Sequence, residues 1–333
     1  MLRYSILISF ILLSGSVLAQ LGGRRSYEFL NVPAHARLAA LGGVNTSLTD
    51  RDINFFFSNP ALVSDTLAGF ASASYQFYVG DVGQAGFSYA HDFNRIGMLV
   101  FGIQHLNYGT IQGYDASGQE TGTFKSGETA LVIGKSHQIR HFRFGVNFKL
   151  AFSNIAAYRS SAVMLDLGGT FIHPEKDFRV GLVIKNLGFV LSDYSETSDT
   201  KLPLDVQAGI TFKPEHMPLR FSITAYNLAR SDATYYDPAS GQDEPGGLNK
   251  LLRRFNFGAE LLIHRNVNIL AGYNYLIHQE LKLEQGGGAA GLSFGFSARI
   301  KSLEFVFSRS SYVVGNAGYA FTLSTDIDKM LKR

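Results

Sequence analysis

Three groups of residues have types and spacings that could support chemistry. Gly286, Gly288 and Gly291, in the run Gly286-Gly287-Gly288-Ala289-Ala290-Gly291, match the spacing of a dinucleotide loop. Such glycines let backbone amides approach a pyrophosphate at a helix N-terminus, so the loop needs a strand before it and a helix after it. Here an alternating apolar–polar run follows, and a loop feeding a strand is the better reading. His137 and His141 stand four apart, which on a helix would place both rings on one face for a metal. They fall instead around a turn between two alternating runs, so surface turn residues are expected. Asp237 and Asp243-Glu244 supply oxygens for calcium, but not at the spacing of an EF-hand loop. No nucleophile elbow is seen, and a Ser-His-Asp set is recognised by geometry that a sequence does not carry. The residues therefore assign no catalytic, cofactor or metal site, and the chain reads as non-enzymatic.

Composition narrows the classes further. A formal net charge of +3 with 17% charged residues gives neither a basic stripe for nucleic acid nor an acidic tail. The absence of cysteine removes disulfides, thiolate metal sites and cysteine nucleophiles together. With 35 Gly, 27 Phe and 16 Tyr, the 333 residues carry the composition of β architecture in a length that one barrel can occupy.

The elements that must position any site announce themselves by alternation. Phe142, Phe144, Val146, Phe148, Leu150 and Phe152 interleave with Arg143, Gly145, Asn147, Lys149 and Ala151. Side chains alternate across a strand, so one face of this run is apolar and the other carries charge and amides. The same period recurs at 178–185, 205–212, 254–261 and 292–299. About fourteen such segments are counted from Gly69 onward, many near the roughly 9–11 residues that a tilted strand needs to cross a bilayer. Short links (91–95, 136–141, 173–177, 213–218, 264–266 and 300–302) alternate with longer ones (107–125, 188–203, 229–251 and 278–288), as periplasmic turns and outside loops do. The reading is an all-β, transmembrane antiparallel barrel of about fourteen strands, closed because lipid offers exposed backbone no partner. It places the N-terminal segment and the C-terminus on the periplasmic side. Tyr75, Tyr78, Tyr89, Tyr108, Tyr226, Tyr273, Tyr275, Tyr312 and Tyr319 are expected as interfacial girdles. Arg143, Lys149, Asp166, Arg179, Lys185, Asp205, Arg220, Arg254, Glu260, Arg299 and Glu304 face inward, where mixed signs make compensating pairs the favoured reading over a selectivity lining.

Residues 1–19 read as a signal peptide: Arg3, a short apolar run from Ile6 to Leu13, and Val17-Leu18-Ala19 before Gln20. Gln20 stands where a lipoprotein needs Cys. Residues 20–66 do not alternate, and residues 67–333 form the barrel. A helix is expected over Ala34–Leu41, started by Pro33 and ended by Gly42-Gly43. A second should run from a cap at Asp52 through Phe55-Phe56-Phe57 to the break at Asn59-Pro60. Three consecutive phenylalanines avoid water, so this segment is expected as a plug in the barrel mouth, with a loose periplasmic arm as the alternative.

The run from Tyr27 to Leu62, with Arg37, Leu41, Gly42 and Gly43 in its first part and Asn59-Pro60-Ala61 at its end, resembles the N-terminal region of the PorQ family of the type IX secretion system. Asn59-Pro60-Ala61 also looks like the motif shared by FadL-like outer-membrane barrels, a group that includes PorV. That resemblance implies fourteen strands with an N-terminal hatch. The final strand, with Asn316, Gly318, Phe321 and Leu323, is similar to the signal read by the barrel-assembly machinery, although a tail from Thr325 follows it. The implied role is a non-enzymatic member of the attachment complex that fixes secreted cargo to surface lipopolysaccharide, anchoring an extracellular PorZ-like protein through the outside loops. The alternative is a FadL-like passive transporter of hydrophobic small molecules, which predicts a continuous apolar tunnel beside the hatch. A lumen filled by salt bridges favours the anchor.

Overall fold

The computed structural model describes residues 25–78, 80–198, 200–230, 246–281, 288–313 and 316–331. The expected signal peptide, Gln20, Asp237, Asp243, Glu244, Gly286 and Gly287 lie outside the described residues. Fourteen antiparallel strands close into one barrel. In chain order they are β1 (Phe70–Phe77), β2 (Gly83–Phe93), β3 (Gly97–Tyr114), β4 (Glu120–Ile139), β5 (Phe142–Ile155), β6 (Tyr158–Ile172) and β7 (Phe178–Ser192), followed by β8 (Asp205–Phe212), β9 (Leu219–Ala225), β10 (Phe255–His264), β11 (Val267–Asn274), β12 (Leu292–Ile300), β13 (Leu303–Val313) and β14 (Asn316–Asp326). Each pairs with its chain neighbours, and β1 closes on β14 from Phe70↔Asp326 to Phe77↔Tyr319. No strand edge is left for lipid to desolvate, which is what allows a sheet to span a membrane. Among the described residues no helix is long and apolar enough to cross.

The alternation sets the two surfaces. On β5, Phe142, Phe144, Val146, Phe148 and Phe152 are exposed on the outer wall, while Arg143, Asn147, Lys149 and Ala151 are buried inside. On β7, Val180 and Leu182 face out and Lys185 in. There the ladder with β6 shifts register at Leu165/Leu167, beside Asn186 with φ 59. The bulge adds Asn186 to the inward set that Lys185 already belongs to by alternation, and Asp166 Oδ1 accepts the freed Asn186 amide at 2.9 Å.

All six short turns fall at one end of the barrel, with a terminal helix, Ile327–Leu331, after β14. The opposite, loop end departs from expectation in two ways. Most of the predicted loop 107–125 is strand, because Thr110–Gly113 pairs with Gly122–Lys125 as a ribbon. A two-stranded ladder satisfies its own backbone without needing the one-sided apolar pattern that lipid imposes on the wall. The connections 78–82 and 156–157 are also short, so loop length does not alternate strictly.

The segment before β1 fills the lumen, and its described start lies at the loop end, not at the periplasmic side expected from the turn pattern. Arg25 bridges Lys201 between β7 and β8, and the Tyr27 hydroxyl is 2.6 Å from Ser160 Oγ near the start of β6. Burying Tyr27, Phe29 and Leu30 inside the mouth draws the chain there. From there it descends through helix α1 (Ala36–Ala40), which ends at Gly42 and Gly43 with φ 90 and 93, a left-handed stop that glycine adopts without a Cβ clash. In place of the expected second helix there are two 3₁₀ turns. Ile53–Phe57 is capped by Asp52, and Pro60–Leu62 is capped by Asn59, whose Oδ1 accepts from the Ala61 amide at 2.9 Å. Phe55, Phe56 and Phe57 are all buried. One apolar cluster joins Phe56, Phe57 and Ile53 to Val100, Val132 and Met164. A second joins Leu38, Leu41, Leu48, Phe55 and Leu62 to Leu270, Val306 and Ala320. At about 1.5–3 kcal/mol per buried large apolar side chain, this packing fixes the plug in the lumen.

Candidate functional site: the plug seat and the loop-end pocket

Arg37 on α1 is the centre of the seat. Its Nη2 lies 2.7 Å from Glu260 Oε1 on β10 and 2.8 Å from Asp50 Oδ2, and Nε donates to Glu260 Oε1 at 3.0 Å. Arg220 on β9 completes the square, with Nη1 2.9 Å from Glu260 Oε2 and 3.2 Å from Asp50 Oδ2. Two guanidiniums and two carboxylates cancel, so the ions can be withdrawn from water together. Burial alone would lower the Arg37 pKa, but the Glu260 and Asp50 charges hold it well above its ordinary value. Burial alone would raise that of Asp50, yet Arg37 and Arg220 keep it far below the carboxylate range.

Around this square, wall amides and hydroxyls bind the plug backbone. Asn256 Nδ2 donates to the carbonyls of Leu41 at 2.8 Å and Val44 at 2.7 Å, and Asn147 Nδ2 to that of Phe56 at 2.8 Å. Asn274 Nδ2 donates to the Gly42 carbonyl at 3.2 Å. Within the plug, Asn59 Nδ2 donates to the Thr46 carbonyl at 2.9 Å. Inward-facing glycines leave room for this contact: a methyl at Gly272 would meet the backbone of Leu41 and Gly42, and one at Gly145 the backbone of Pro60 and Ala61. Arg37, Leu41, Gly42, Gly43, Asn59, Pro60 and Ala61 are thus all plug residues packed inside the barrel. Asn316, Gly318, Phe321 and Leu323 are strung along β14 instead, with Phe321 and Leu323 exposed on the outer wall and Gly318 buried.

Where the transporter alternative expects a continuous apolar tunnel beside the hatch, the structure has a pocket of about 290 Å³ at the loop end, between the plug, β12, β13 and helix α3 (Tyr275–Leu281), which comes third among the helices after α2 (Gly247–Leu252). Val32, Pro33, Ala39, Val44, Leu276, Ile277 and Leu292 make its lining largely apolar, and Tyr78, Tyr226 and Tyr312 add hydroxyls. The Tyr226 hydroxyl donates to Asn274 Oδ1 at 2.8 Å. These three tyrosines, expected in the outer girdles, face the lumen, as does Tyr108, which donates to Glu128. Tyr75 and Tyr319 do stand exposed on the wall. Parity was the available signal: Tyr226 continues the inward set of Ser222 and Thr224, and Tyr78 that of Ser74 and Gln76.

At the short-turn end two cavities of about 540 and 450 Å³ open below the seat, the first lined by Asp50, Arg220, His264 and Arg265, the second by Arg51, Lys301, Glu304 and Asp326. The plug stands between them and the loop-end pocket. Gly291-Leu292-Ser293-Phe294-Gly295, overlooked in the sequence reading, spells the letters of a hydrolase elbow, but Ser293 is a strand residue of β12 whose hydroxyl donates to the Ala40 carbonyl at 3.0 Å. His137 and His141 flank the turn at Arg140, φ 55. Among the described residues no three His, Asp or Glu side chains converge on a metal position.

No protein-family model matches the chain, and no curated protein does. Solved structures do resemble it. The TodX monoaromatic hydrocarbon channel, as its deltaS2 mutant, is 14% identical, with 88% of this chain and 97% of that one covered at a TM-score of 0.52. A Pseudomonas aeruginosa FadL homologue is 11% identical over 88% and 98% of the two chains, TM-score 0.47. The Acinetobacter baumannii outer membrane protein Omp33 is 8% identical over 78% and 97%, TM-score 0.38. At such identities the first likeness shows the fold alone, and the lower scores add nothing to it.

Proposed function

We propose that this is a non-enzymatic outer-membrane barrel that admits a small hydrophobic molecule to the loop-end pocket, in the manner of a FadL-like transporter, with the plug controlling passage beyond it. The pocket of about 290 Å³ carries the reading, because apolar walls with a few polar tips are what a hydrophobic ligand needs. The fold shared with TodX, a monoaromatic hydrocarbon channel, supports it. The ion-paired seat below means that transport requires the plug to shift. The test is equilibrium binding of a monoaromatic hydrocarbon and of a medium-chain fatty acid to the detergent-solubilised protein. Saturable binding that Ile277→Trp weakens at least about tenfold, by filling the pocket, is the expected result; binding indifferent to that change would refute it.

A second reading, the anchor of a PorZ-like surface protein in a type IX attachment complex, draws on the resemblance of Tyr27–Leu62, the salt-bridged lumen and the β3–β4 ribbon projecting at the loop end. In it the partners are outer-membrane lipid and lipopolysaccharide around the wall and an extracellular protein on the ribbon and loops, with the barrel-assembly machinery engaging β14 during insertion. Gentle detergent extraction from cells that make the whole system should then recover a stable extracellular protein with the barrel.

A further inference from the structure

A cavity of about 20 Å³ lies where the plug meets β3, β7 and β8. That is room for one water-sized species and nothing polyatomic. Its polar lining is Asn31, Asn45, Ser58, Gln104, Lys185 and Gln207, with Leu30, Leu38 and Phe57 closing the rest. Asn45, Ser58 and Lys185 are more than nine-tenths buried. Asn45 Nδ2 and Ser58 Oγ have no hydrogen-bond partner in the protein, and neither has Asn31 Oδ1.

Lys185 is the unusual member. The neighbouring Lys149 takes the shared carboxylate, with Nζ 2.7 Å from Asp166 Oδ2 and 2.9 Å from Asn186 Oδ1. Asp205, directly across the β7–β8 ladder from Lys185, accepts from Gln207 Nε2 at 2.7 Å, leaves Oδ1 without a hydrogen-bond partner, and does not line the cavity. Lys185 makes no ion pair within 4.0 Å among the described residues. An ammonium withdrawn from water without a close counter-ion is costly, and so is each unpaired buried donor. Ordinary alternation along β7, with Gly181 and Val183, brings Lys185 inside, and the bulge sets Asn186 beside it.

We propose that this cavity binds a single monoatomic anion of chloride size, held by the Lys185 ammonium, the Asn45 amide and the Ser58 hydroxyl. The anion would lie against the Lys185 ammonium and thereby fix the 43–45 and 57–58 segments of the plug to β7. Phosphate, sulfate and carboxylates are excluded by volume.

The probe is bromide, with the whole protein in detergent. Crystals grown in sodium bromide should show an anomalous peak in the cavity. The thermal midpoint should be higher in chloride or bromide than in gluconate at equal ionic strength, with a saturable dependence on halide. Asn45→Asp, which supplies a carboxylate beside Lys185, should abolish the halide dependence while retaining the fold; Lys185→Gln should abolish it too. A cavity holding water with no anomalous signal, together with midpoints identical in chloride and gluconate, overturns the proposal even if the Lys185 variant fails to fold.

Discussion

The two ends of the lumen are built from opposite materials. At the short-turn end the plug is held by charge: Arg37, Asp50, Arg220 and Glu260 lie within 2.7–3.2 Å of one another, across 223 residues of sequence for the Arg37–Glu260 pair. At the loop end the same plug presents Val32, Pro33 and Ala39 to an apolar pocket edged by tyrosines. Ion pairs are directional and fail when one partner is lost, whereas apolar contact is diffuse and tolerant. The difference teaches that one plug can be seated by charge at one end and border an apolar pocket at the other.

Breaking the charged end has the largest expected effect. Glu260→Ala leaves the guanidiniums of Arg37 and Arg220 to share the single carboxylate of Asp50, and the loss of one partner from a buried ion pair costs about 3–5 kcal/mol. The thermal midpoint should fall, and single-channel conductance in planar bilayers should rise as the plug loosens. Conductance as low as in the unaltered protein would mean that the apolar clusters alone seat the plug. Second comes Gly272→Ala, whose methyl meets the backbone of Leu41 and Gly42. Because backbone cannot rotate away as a side chain can, the cost should reach about 3 kcal/mol, the top of the usual overpacking range, read as the same fall in midpoint without any change of charge.

The outer wall was legible nearly residue by residue, and the plug seat hardly at all. A membrane strand must show lipid one face, so Phe144 and Arg143 declare their sides in the sequence itself. Tyrosine is at home both in a girdle and in a buried mouth, so Tyr226 was assigned by its type when its parity with Ser222 and Thr224 pointed inward. Arg37 could be named as a plug residue by motif, but its pairing with Glu260 joins segments that only barrel closure brings together. The bulge at Asn186 left no mark, because Lys185-Asn186 reads equally well as a strand end.

A third way to separate the ends is pH. His35 is fully buried in the plug, both ring nitrogens lack a hydrogen-bond partner, and its ring packs edge-on against Phe55 at 4.8 Å. Burial lowers its pKa to about 4, with Asp52 pulling it upward and Arg37 downward. Its unfolded value is about 6.5. Between these values the unfolded chain takes up a proton that the folded one refuses, so the stability contribution is complete above pH 6.5 and is lost as pH falls toward 4. By pH 5 the loss should be about 2 kcal/mol. His35→Phe, which keeps the ring contact, should flatten the thermal midpoint between pH 6.5 and 5; an unchanged slope would assign the pH dependence to other groups.

The smallest effect should come from the apolar end, and its smallness is the point. Tyr226→Phe keeps the ring and removes only the hydroxyl that donates to Asn274 Oδ1. That oxygen also accepts from the Ile277 amide at 3.2 Å, so it is not left bare. The cost to stability should therefore be about 1 kcal/mol or less, with no change in conductance, because Asn274 still holds the Gly42 carbonyl through Nδ2. What should change is the pocket: without the hydroxyl its edge is more apolar, so a hydrocarbon should bind as well or better and a ligand with a polar head worse. If Tyr226→Phe opened the barrel as Glu260→Ala is expected to, the two ends would be one coupled lock, and the pocket could not fill while the seat stayed closed.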